Sequence, residues 1–211
     1  MGIEEIRKAY ARSELRKRDL AADPIVQFGI WLGEAVAADL LEPTAMTLAT
    51  ADANGRVSAR MVLLKGHGPD GFVFYSNYAS RKAEDLAVNA NAALVFYWDR
   101  LERQVRVEGT VEKLPPESSE TYFRSRPRGS QLAAWASPQS QTLAGRDELH
   151  ERSAAAVERF DGREVARPDH WGGYRLRPLA IELWQGRPDR LHDRFRYTSG
   201  GGSWRLERLA P

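Results

Sequence analysis

The sequence predicts a mainly β domain: an antiparallel barrel with helices at its periphery. From residue 45 onward, about seven apolar or alternating segments have the length of strands, and short runs of turn residues separate most of them. The few helical segments do not alternate with the strands one by one, as a parallel βαβ sheet requires. The 211 residues suit one domain, residues 1–211, and contain no internal repeat or clear linker.

Two helices are predicted ahead of the first strand. Residues 3 to about 18 have helical spacing but a thin apolar face, so we expect a charged N-terminal segment, residues 1–20, that docks weakly or moves. A second helix starts at Asp23-Pro24, a capping residue followed by a proline in the first turn, and ends before Pro43. Its predicted apolar stripe consists of Ile25, Phe28, Leu32, Ala35 and Val36.

The next segment has the pattern of successive hairpins. Residues 45–50 and 56–65 are predicted strands around an Asn-Gly pair, which is typical of tight hairpin turns. Residues 66–71, GHGPDG, match the glycine spacing of a dinucleotide-binding loop, but that loop must open a helix. Here a proline interrupts the pattern and a strand, 71–77, follows. We therefore predict a hairpin turn and exclude a Rossmann fold.

The rest of the chain mixes helices and strands. The predicted helices cover 80–89, with Ser80 as the cap, 116–125 and 145–160. The predicted strands cover 91–99, 102–114, 174–184, 190–198 and 204–211. Between them, residues 126–141 are predicted to be an irregular polar connection and residues 161–173 a loop.

One stretch near the C-terminus, WQGRPDRLHDRF, points to a binding site. It spaces Arg190, His192 and Arg194 two residues apart, which on a strand places all three side chains on one face. Two guanidiniums and an imidazole are costly to bury without an anionic or electron-rich partner. The stretch therefore fits one wall of a site for an anionic, aromatic ligand. The alternative is a solvated edge strand whose charges oppose aggregation.

Composition excludes several classes of function. Zero cysteines exclude disulfides, thiolate catalysis and iron–sulfur sites, and fit a reducing, cytoplasmic compartment. No apolar run approaches the ~18 residues of a membrane span, and the charged N-terminus does not resemble a secretory signal. A net charge of +2 does not favour nucleic acid. The four histidines show no metal-ligand spacing, and no serine is paired with a histidine as a nucleophile.

Three clusters of basic and hydroxyl residues predict anion binding. They are Arg60 with Lys65, Arg81 with Lys82 after Ser80, and Arg126, Arg128 and Ser130 after Tyr122. The second cluster opens a predicted helix, where free backbone N–H groups and the helix dipole favour a phosphate. Each cluster alone suits an ordinary charged surface. Together the three favour two separate phosphate groups.

Several long polar motifs follow one another over nearly the whole chain, from about Arg7 to Pro211. They are RMVLLK, FYSNxxSRK, ERQVRVEG, YFRSRPRGSQ, WGGYR, WQGxxxRLHDRF and the terminal RLAP. In these motifs the chain resembles the pyridoxamine 5′-phosphate oxidase family. The resemblance implies an FMN-binding split β-barrel and a homodimer with FMN at the subunit interface. It also implies oxidation of pyridoxamine 5′-phosphate, and usually pyridoxine 5′-phosphate, to pyridoxal 5′-phosphate, with dioxygen reduced to hydrogen peroxide.

The resemblance assigns roles to individual positions. FMN contacts are implied for Arg60, Met61, Val62, Leu63, Leu64, Lys65, Tyr75, Ser76, Arg81, Lys82, Gln104, Gln139, Ser140, Trp184 and Arg194. Substrate contacts are implied for Arg7, Tyr10, Lys65, Tyr122, Arg126, Ser130, Arg190, Leu191 and His192. Arg190 and His192 are the catalytic candidates, expected to hold the pyridine ring during hydride transfer to the flavin. Two rival functions are a flavin-free pyridoxal phosphate carrier and a nicotinamide-dependent split-barrel reductase.

Overall fold

The computed structural model describes residues 2–3 and 10–211. The strands are β1 (Ala45–Ala51), β2 (Val57–Leu63), β3 (Gly66–Gly68), β4 (Gly71–Asn77), β5 (Asn91–Trp98), β6 (Arg103–Lys113), β7 (Trp171–Gln185), β8 (Asp193–Gly200) and β9 (Ser203–Leu209). The helices are α1 (Pro24–Ala37), α2 (Arg81–Val88), α3 (Pro116–Ser125), α4 (Arg128–Ala136) and α5 (Arg146–Arg159). Short 3₁₀ turns cover Lys17–Asp19, Asp99–Leu101 and Pro188–Arg190.

All nine strands of the described ranges join one antiparallel sheet, so the predicted mainly β fold with peripheral helices is confirmed. The order is β2-β1-β5-β6-β7-β4-β3, with β8 on β7 and β9 on β8. The long strand β7 pairs with β6 along one edge; its other edge pairs with β4 over the first half and with β8 over the second. The sheet therefore divides at β7. The tally of about seven strands is low: the predicted ranges number eight, and the strand they lack is β3, whose 3 residues are too few for an alternating pattern.

Helix α1 supplies the centre of the core. Asp23 caps it as predicted, since its Oδ1 accepts from the Ile25 amide at 2.8 Å. Phe28 is fully buried and packs 4.8 Å from Phe72 and 5.0 Å from Phe96 between ring centres. Burying one such ring stabilises the fold by roughly 1.5–3 kcal/mol.

The predicted stripe of α1 is wrong at its end. Val36 is 59% exposed, whereas Trp31, which the stripe omits, is buried. Among the described residues, no helix is long and apolar enough to span a bilayer.

The predicted N-terminal helix is wrong over its described part. Residues 10–16 are not helical, and only Lys17–Asp19 forms a single 3₁₀ turn. The backbone amides of this segment bond to distant carboxylates: that of Ala11 to Glu102 and that of Leu15 to Asp193. These bonds replace the intrahelical ones that a helix would need. The remainder of the prediction falls on residues 4–9, outside the described part of the chain.

Two further predictions need correction. Residues 126–141 are not irregular throughout, because α4 occupies Arg128–Ala136 and packs against α5. The stretch begins with polar residues typical of a loop, and for this reason the good helix formers that follow were not predicted to be helical.

The predicted strand 190–198 begins only at Asp193, because Asp189 and Arg190 take left-handed φ values of 55° and 62°. Arg190 therefore lies in a turn before β8, and Arg190, His192 and Arg194 do not form one face of a strand.

Candidate active site

A pocket of about 810 Å³ opens between β2, β4 and the start of α2 on one side and α3, α4 and the segment after α4 on the other. Five cations line it: Arg60, Lys65, Arg81, Lys82 and Arg126. No carboxylate is among its described lining residues. Because an excess of positive charge in a concave site attracts anions, the pocket suits a ligand with one or more phosphates.

Arg60 on β2 is held by a small polar network. Its Nη1 donates to Thr50 Oγ1 at 2.7 Å and its Nη2 donates to Ser58 Oγ. Both hydroxyls in turn donate to Oδ2 of the buried Asp85, at 2.6 and 3.0 Å. Burial, together with the nearby Arg81 charge, lowers the pKa of Arg60 despite Asp85. The network fixes the direction of the guanidinium before any ligand arrives.

Among the described residues, the hydrogen-bond partners of the Lys82 ammonium are neutral groups. Its Nζ donates to Ser80 Oγ at 2.9 Å and to Gln139 Oε1 at 2.7 Å, and Ser76 Oγ donates to the same Gln139 oxygen at 3.3 Å. Ser80 stands at the predicted cap position of α2, but its hydroxyl donates to the Asn77 carbonyl at 2.7 Å and does not cap a helix amide. Burial and the Arg60 charge lower the pKa of Lys82 to about 8. A bound anion would supply the counter-charge that this ammonium lacks.

Stacked aromatic rings from β4, α3 and β7 line another part of the pocket. Tyr75 lies 3.9 Å from Tyr122 and 5.4 Å from Trp171, all nearly parallel. The Arg126 guanidinium carbon lies 4.6 Å from the Trp171 ring centre, a cation–π contact. Arg126 Nη1 is buried without a hydrogen-bond partner in the described structure, and burial lowers the pKa of Arg126. A buried guanidinium nitrogen without a hydrogen-bond partner costs free energy. A bound anion would offset this cost by accepting a hydrogen bond from it.

The pocket brings together most of the predicted FMN positions and several substrate positions. These are Arg60, Met61, Val62, Leu63, Lys65, Tyr75, Ser76, Arg81, Lys82, Tyr122, Arg126, Gln139 and Ser140. Leu64 does not line the pocket, because its side chain is buried in the core. Ser130, in the first turn of α4, is also outside the lining. Arg7 falls outside the described residues. Trp171 and Asn77 line the pocket but were not predicted, although the motifs WGGYR and FYSN contain them.

The remaining predicted residues form a second group, away from this pocket. Gln104, Trp184 and Arg194 face one another across β6, β7 and β8 as register partners. We call these three residues the cross-strand row. The His192 ring lies 4.6 Å from the Trp184 ring, and Tyr10 packs edge-on against both, at 5.6 Å from Trp184 and 5.8 Å from His192.

An ion pair and a hydrogen bond to a backbone carbonyl hold Arg194, the β8 member of this row. Arg194 Nε donates to Glu182 Oε1 at 2.8 Å, and its Nη1 donates to the Ala210 carbonyl at 2.9 Å. This ion pair raises the pKa of Arg194. Burial and the Arg190 charge lower the pKa of His192, which favours its neutral form. Arg190 and Leu191 are exposed beside it.

The two groups lie at opposite ends of β7. Tyr75 pairs with Gly173 near the start of this 15-residue strand, while Trp184 is close to its end. At ~3.3 Å per residue, the ends of such a strand are roughly 45 Å apart when it is straight. The pocket lining accordingly contains none of Gln104, Trp184, His192 or Arg194. Within one chain, the residues predicted for the site therefore lie in two separate groups.

Comparisons with known proteins agree with the motifs. Residues 32–158 match the family model of pyridoxamine 5′-phosphate oxidase, and residues 171–211 match the pyridoxine 5′-phosphate oxidase C-terminal dimerisation region. The pyridoxine/pyridoxamine 5′-phosphate oxidase of Salinibacter ruber is 55% identical, covering 99% of this chain and 99% of its own. The protein of the same name from Cupriavidus pinatubonensis is 53% identical with the same coverage.

Solved structures share the fold. A crystal structure of PhzG from Burkholderia lata 383, in complex with tetrahydrophenazine-1-carboxylic acid, matches with a TM-score of 0.89 and 30% identity, covering 95% of this chain and 99% of that one. A pyridoxamine 5′-phosphate oxidase-related, FMN-binding protein from Nostoc punctiforme matches with a TM-score of 0.72 and 16% identity, covering 91% and 100%. The second likeness concerns the fold alone.

Proposed function

The chain belongs to the pyridoxamine 5′-phosphate oxidase family, and from this premise we propose which of its residues carry the reaction. Its fold is the split barrel of that family and its cofactor is FMN. It oxidises pyridoxamine 5′-phosphate and pyridoxine 5′-phosphate to pyridoxal 5′-phosphate, a step of vitamin B6 metabolism. One observation carries the assignment of residues: the pocket gathers five cations and no carboxylate among its described lining.

Both phosphates, one from FMN and one from the substrate, fit this pocket. Arg60, Arg81 and Lys82 would hold the FMN phosphate, supported by the polar network behind Arg60 and by the neutral partners of Lys82. Arg126, whose Nη1 has no hydrogen-bond partner among the described residues, would hold the substrate phosphate with Lys65. The charge-assisted bonds on each phosphate are the strong kind, worth roughly 1.5–3 kcal/mol apiece.

The chain's own part in the reaction is to bind and orient. When bound, FMN supplies the redox chemistry, accepting a hydride from the substrate and returning the electrons to dioxygen. Arg190 and His192 would hold the pyridine ring in place, and the depressed pKa of His192 leaves a neutral imidazole able to accept a proton. Arg194, fixed by Glu182 and Ala210, would place a positive charge beside the flavin. No strong base is required of the chain.

We further propose that the active site is shared between two subunits. The matched dimerisation region spans β7 to β9 and so contains Trp184 and Arg194. The cross-strand row lies at the opposite end of β7 from the pocket, which supports completion of each pocket by the row of the other subunit. FMN would then lie at the interface of a homodimer. A cytoplasmic location belongs to the same proposal, supported by the absence of cysteine from the sequence.

The visible spectrum of the purified protein tests this function directly. We expect a yellow protein whose flavin absorbance bleaches when pyridoxamine 5′-phosphate is added without oxygen and returns when air is admitted. A colourless protein that still binds pyridoxal phosphate would instead indicate a carrier. A yellow protein that bleaches only with a reduced nicotinamide would indicate a reductase and would contradict the proposal.

A further inference from the structure

Residues 10–15 lie against the second site group as an extended segment, which we call the strap. It is held at both ends by buried carboxylates. At one end, Glu102 Oε2 accepts from the amides of Ala11 and Arg12, at 3.0 and 3.1 Å. At the other end, Asp193 Oδ2 accepts from the Leu15 amide at 3.1 Å. The strap is therefore fixed by side chains in place of regular secondary structure.

Glu102 is an unusual residue for this task. It is 7% exposed and takes left-handed dihedrals, φ 54° and ψ 40°, which cost energy for a non-glycine residue. No cation within the described ranges lies at ion-pair distance from it, and within those ranges the donors to its carboxylate are the two strap amides. Its own carbonyl accepts from the Gly186 amide at 2.7 Å, next to the end of β7.

These contacts fix the position of Tyr10, the residue before Ala11. The Tyr10 ring packs on Trp184 and His192, and its hydroxyl lies 3.5 Å from that of Tyr97. It also covers Gly186, where an added Cβ would lie 2.8 Å from the Tyr10 ring. Even a methyl group at position 186 would push the ring away. The strap end bound by Glu102 is thus the end that carries the aromatic cover of the site.

We propose that Glu102 is a positioning residue of the reaction, acting through the backbone of Ala11 and Arg12 to hold Tyr10 against Trp184 and His192. It is not among the residues to which the proposed function assigns a contact with substrate or cofactor. Among the described residues, the strap amides are the hydrogen-bond donors to this carboxylate, so docking of the strap and order at the substrate site are coupled. The proposal rests on the proposed function, because that function makes Tyr10 and His192 part of the substrate site.

Single-amide hydrogen–deuterium exchange on the FMN-loaded protein tests the anchoring without relying on activity. The variant Glu102→Gly removes the carboxylate and accepts the left-handed backbone without strain. We expect the Ala11 and Arg12 amides to exchange at least about tenfold faster than in the wild type, since each loses a bond to a charged acceptor. The Leu15 amide, held by Asp193, should stay unchanged and serves as an internal control.

Two more variants separate anchoring from general damage. Asp39→Gly is the matched control, because Asp39 is also left-handed, at φ 52°, but carries a solvent-exposed carboxylate. It should leave strap exchange unchanged. Glu102→Gln, nearly isosteric, tests the charge and should speed the Ala11 and Arg12 amides in the same direction. It also replaces the glycine variant as the probe if the latter fails to fold.

A double-mutant cycle with Tyr10→Ala tests the positioning role. If Glu102 acts through Tyr10, each change alone raises KM for pyridoxamine 5′-phosphate, and the two together do little more than Tyr10→Ala alone. Flavin content and kcat should change far less than KM. Unchanged exchange at Ala11 and Arg12, or fully additive effects on KM, would overturn the proposal. Failure of the proposed function would appear separately, as a wild-type protein without flavin or turnover.

Discussion

Lys82 is the residue whose charge in the phosphate pocket responds most readily to pH. Its pKa of about 8 in the ligand-free protein reflects burial and the neighbouring Arg60. A bound phosphate favours the protonated ammonium and so raises this pKa. The sign follows: near pH 7 Lys82 is already charged and its contribution to affinity is level, while above pH 8 binding must take up a proton and weakens.

We therefore expect FMN affinity to fall as pH rises through 8, by at most about tenfold per pH unit. Titration of the apoprotein with FMN between neutral and alkaline pH, followed by flavin fluorescence, measures it. Lys82→Arg keeps the charge over this range and should flatten the profile. If FMN affinity fell equally steeply with pH in the wild type and in this variant, the group that titrates would not be Lys82.

Arg190, which we propose as a substrate-binding residue, lies in a turn and not in a strand. It is exposed and left-handed, and it lies two residues before His192 and three before the start of β8. We expect Arg190→Lys to lower kcat/KM for pyridoxamine 5′-phosphate by about tenfold, because lysine cannot form the planar, stacked or bidentate contacts of a guanidinium. Flavin content should not change. Arg205→Lys, at an exposed position of β9, is the control. A value for Arg190→Lys within about twofold of wild type would make the residue structural.

At the scale of elements, the errors of prediction come from reading structure from spacing alone. In the N-terminal segment, backbone amides bond to distant carboxylates and not to one another as in a helix. The strand predicted from 190 starts later because Asp189 and Arg190 are left-handed. Helix α4 was missed because its polar start resembles a loop. In contrast, α1, α5 and the strands β1, β2 and β4 to β6 carry their own caps, turns or alternation and were predicted correctly.

The pairing of β6 with β7 contains a local irregularity that requires glycine at position 109. Their register shifts between Glu108 and Gly109, and a Cβ at Gly109 would overlap the carbonyl oxygen of Arg177. We expect Gly109→Ala to lower the free energy of unfolding by about 2 kcal/mol or more, since backbone must move to admit the methyl group. Gly68→Ala on β3 has open space around it and is the control. Equal denaturant midpoints for the two variants would contradict this role of Gly109.

At the scale of the whole molecule, the shared site predicts complementation between two inactive variants. Arg126→Ala damages the pocket, and Arg194→Ala damages the cross-strand row. A mixed dimer contains one site in which both changes meet and one site with neither. Random mixing should therefore restore about a quarter of wild-type activity, although each variant alone is nearly inactive. Co-expression with two affinity tags isolates the mixed dimer. Activity no greater than the mean of the two variants would show that each site lies within one subunit.

The sequence by itself determined the fold class, the family and most of the anion pocket. Strand alternation, hairpin turns and helix caps are local, and the cations of the pocket lie in motifs beside those turns. Only the tertiary structure decided that β7 separates the pocket from the cross-strand row, that Glu102 and Asp193 hold the strap, and that Arg190 lies in a turn. These features join residues far apart in the chain. Their contacts form when the sheet closes, and no local spacing encodes them.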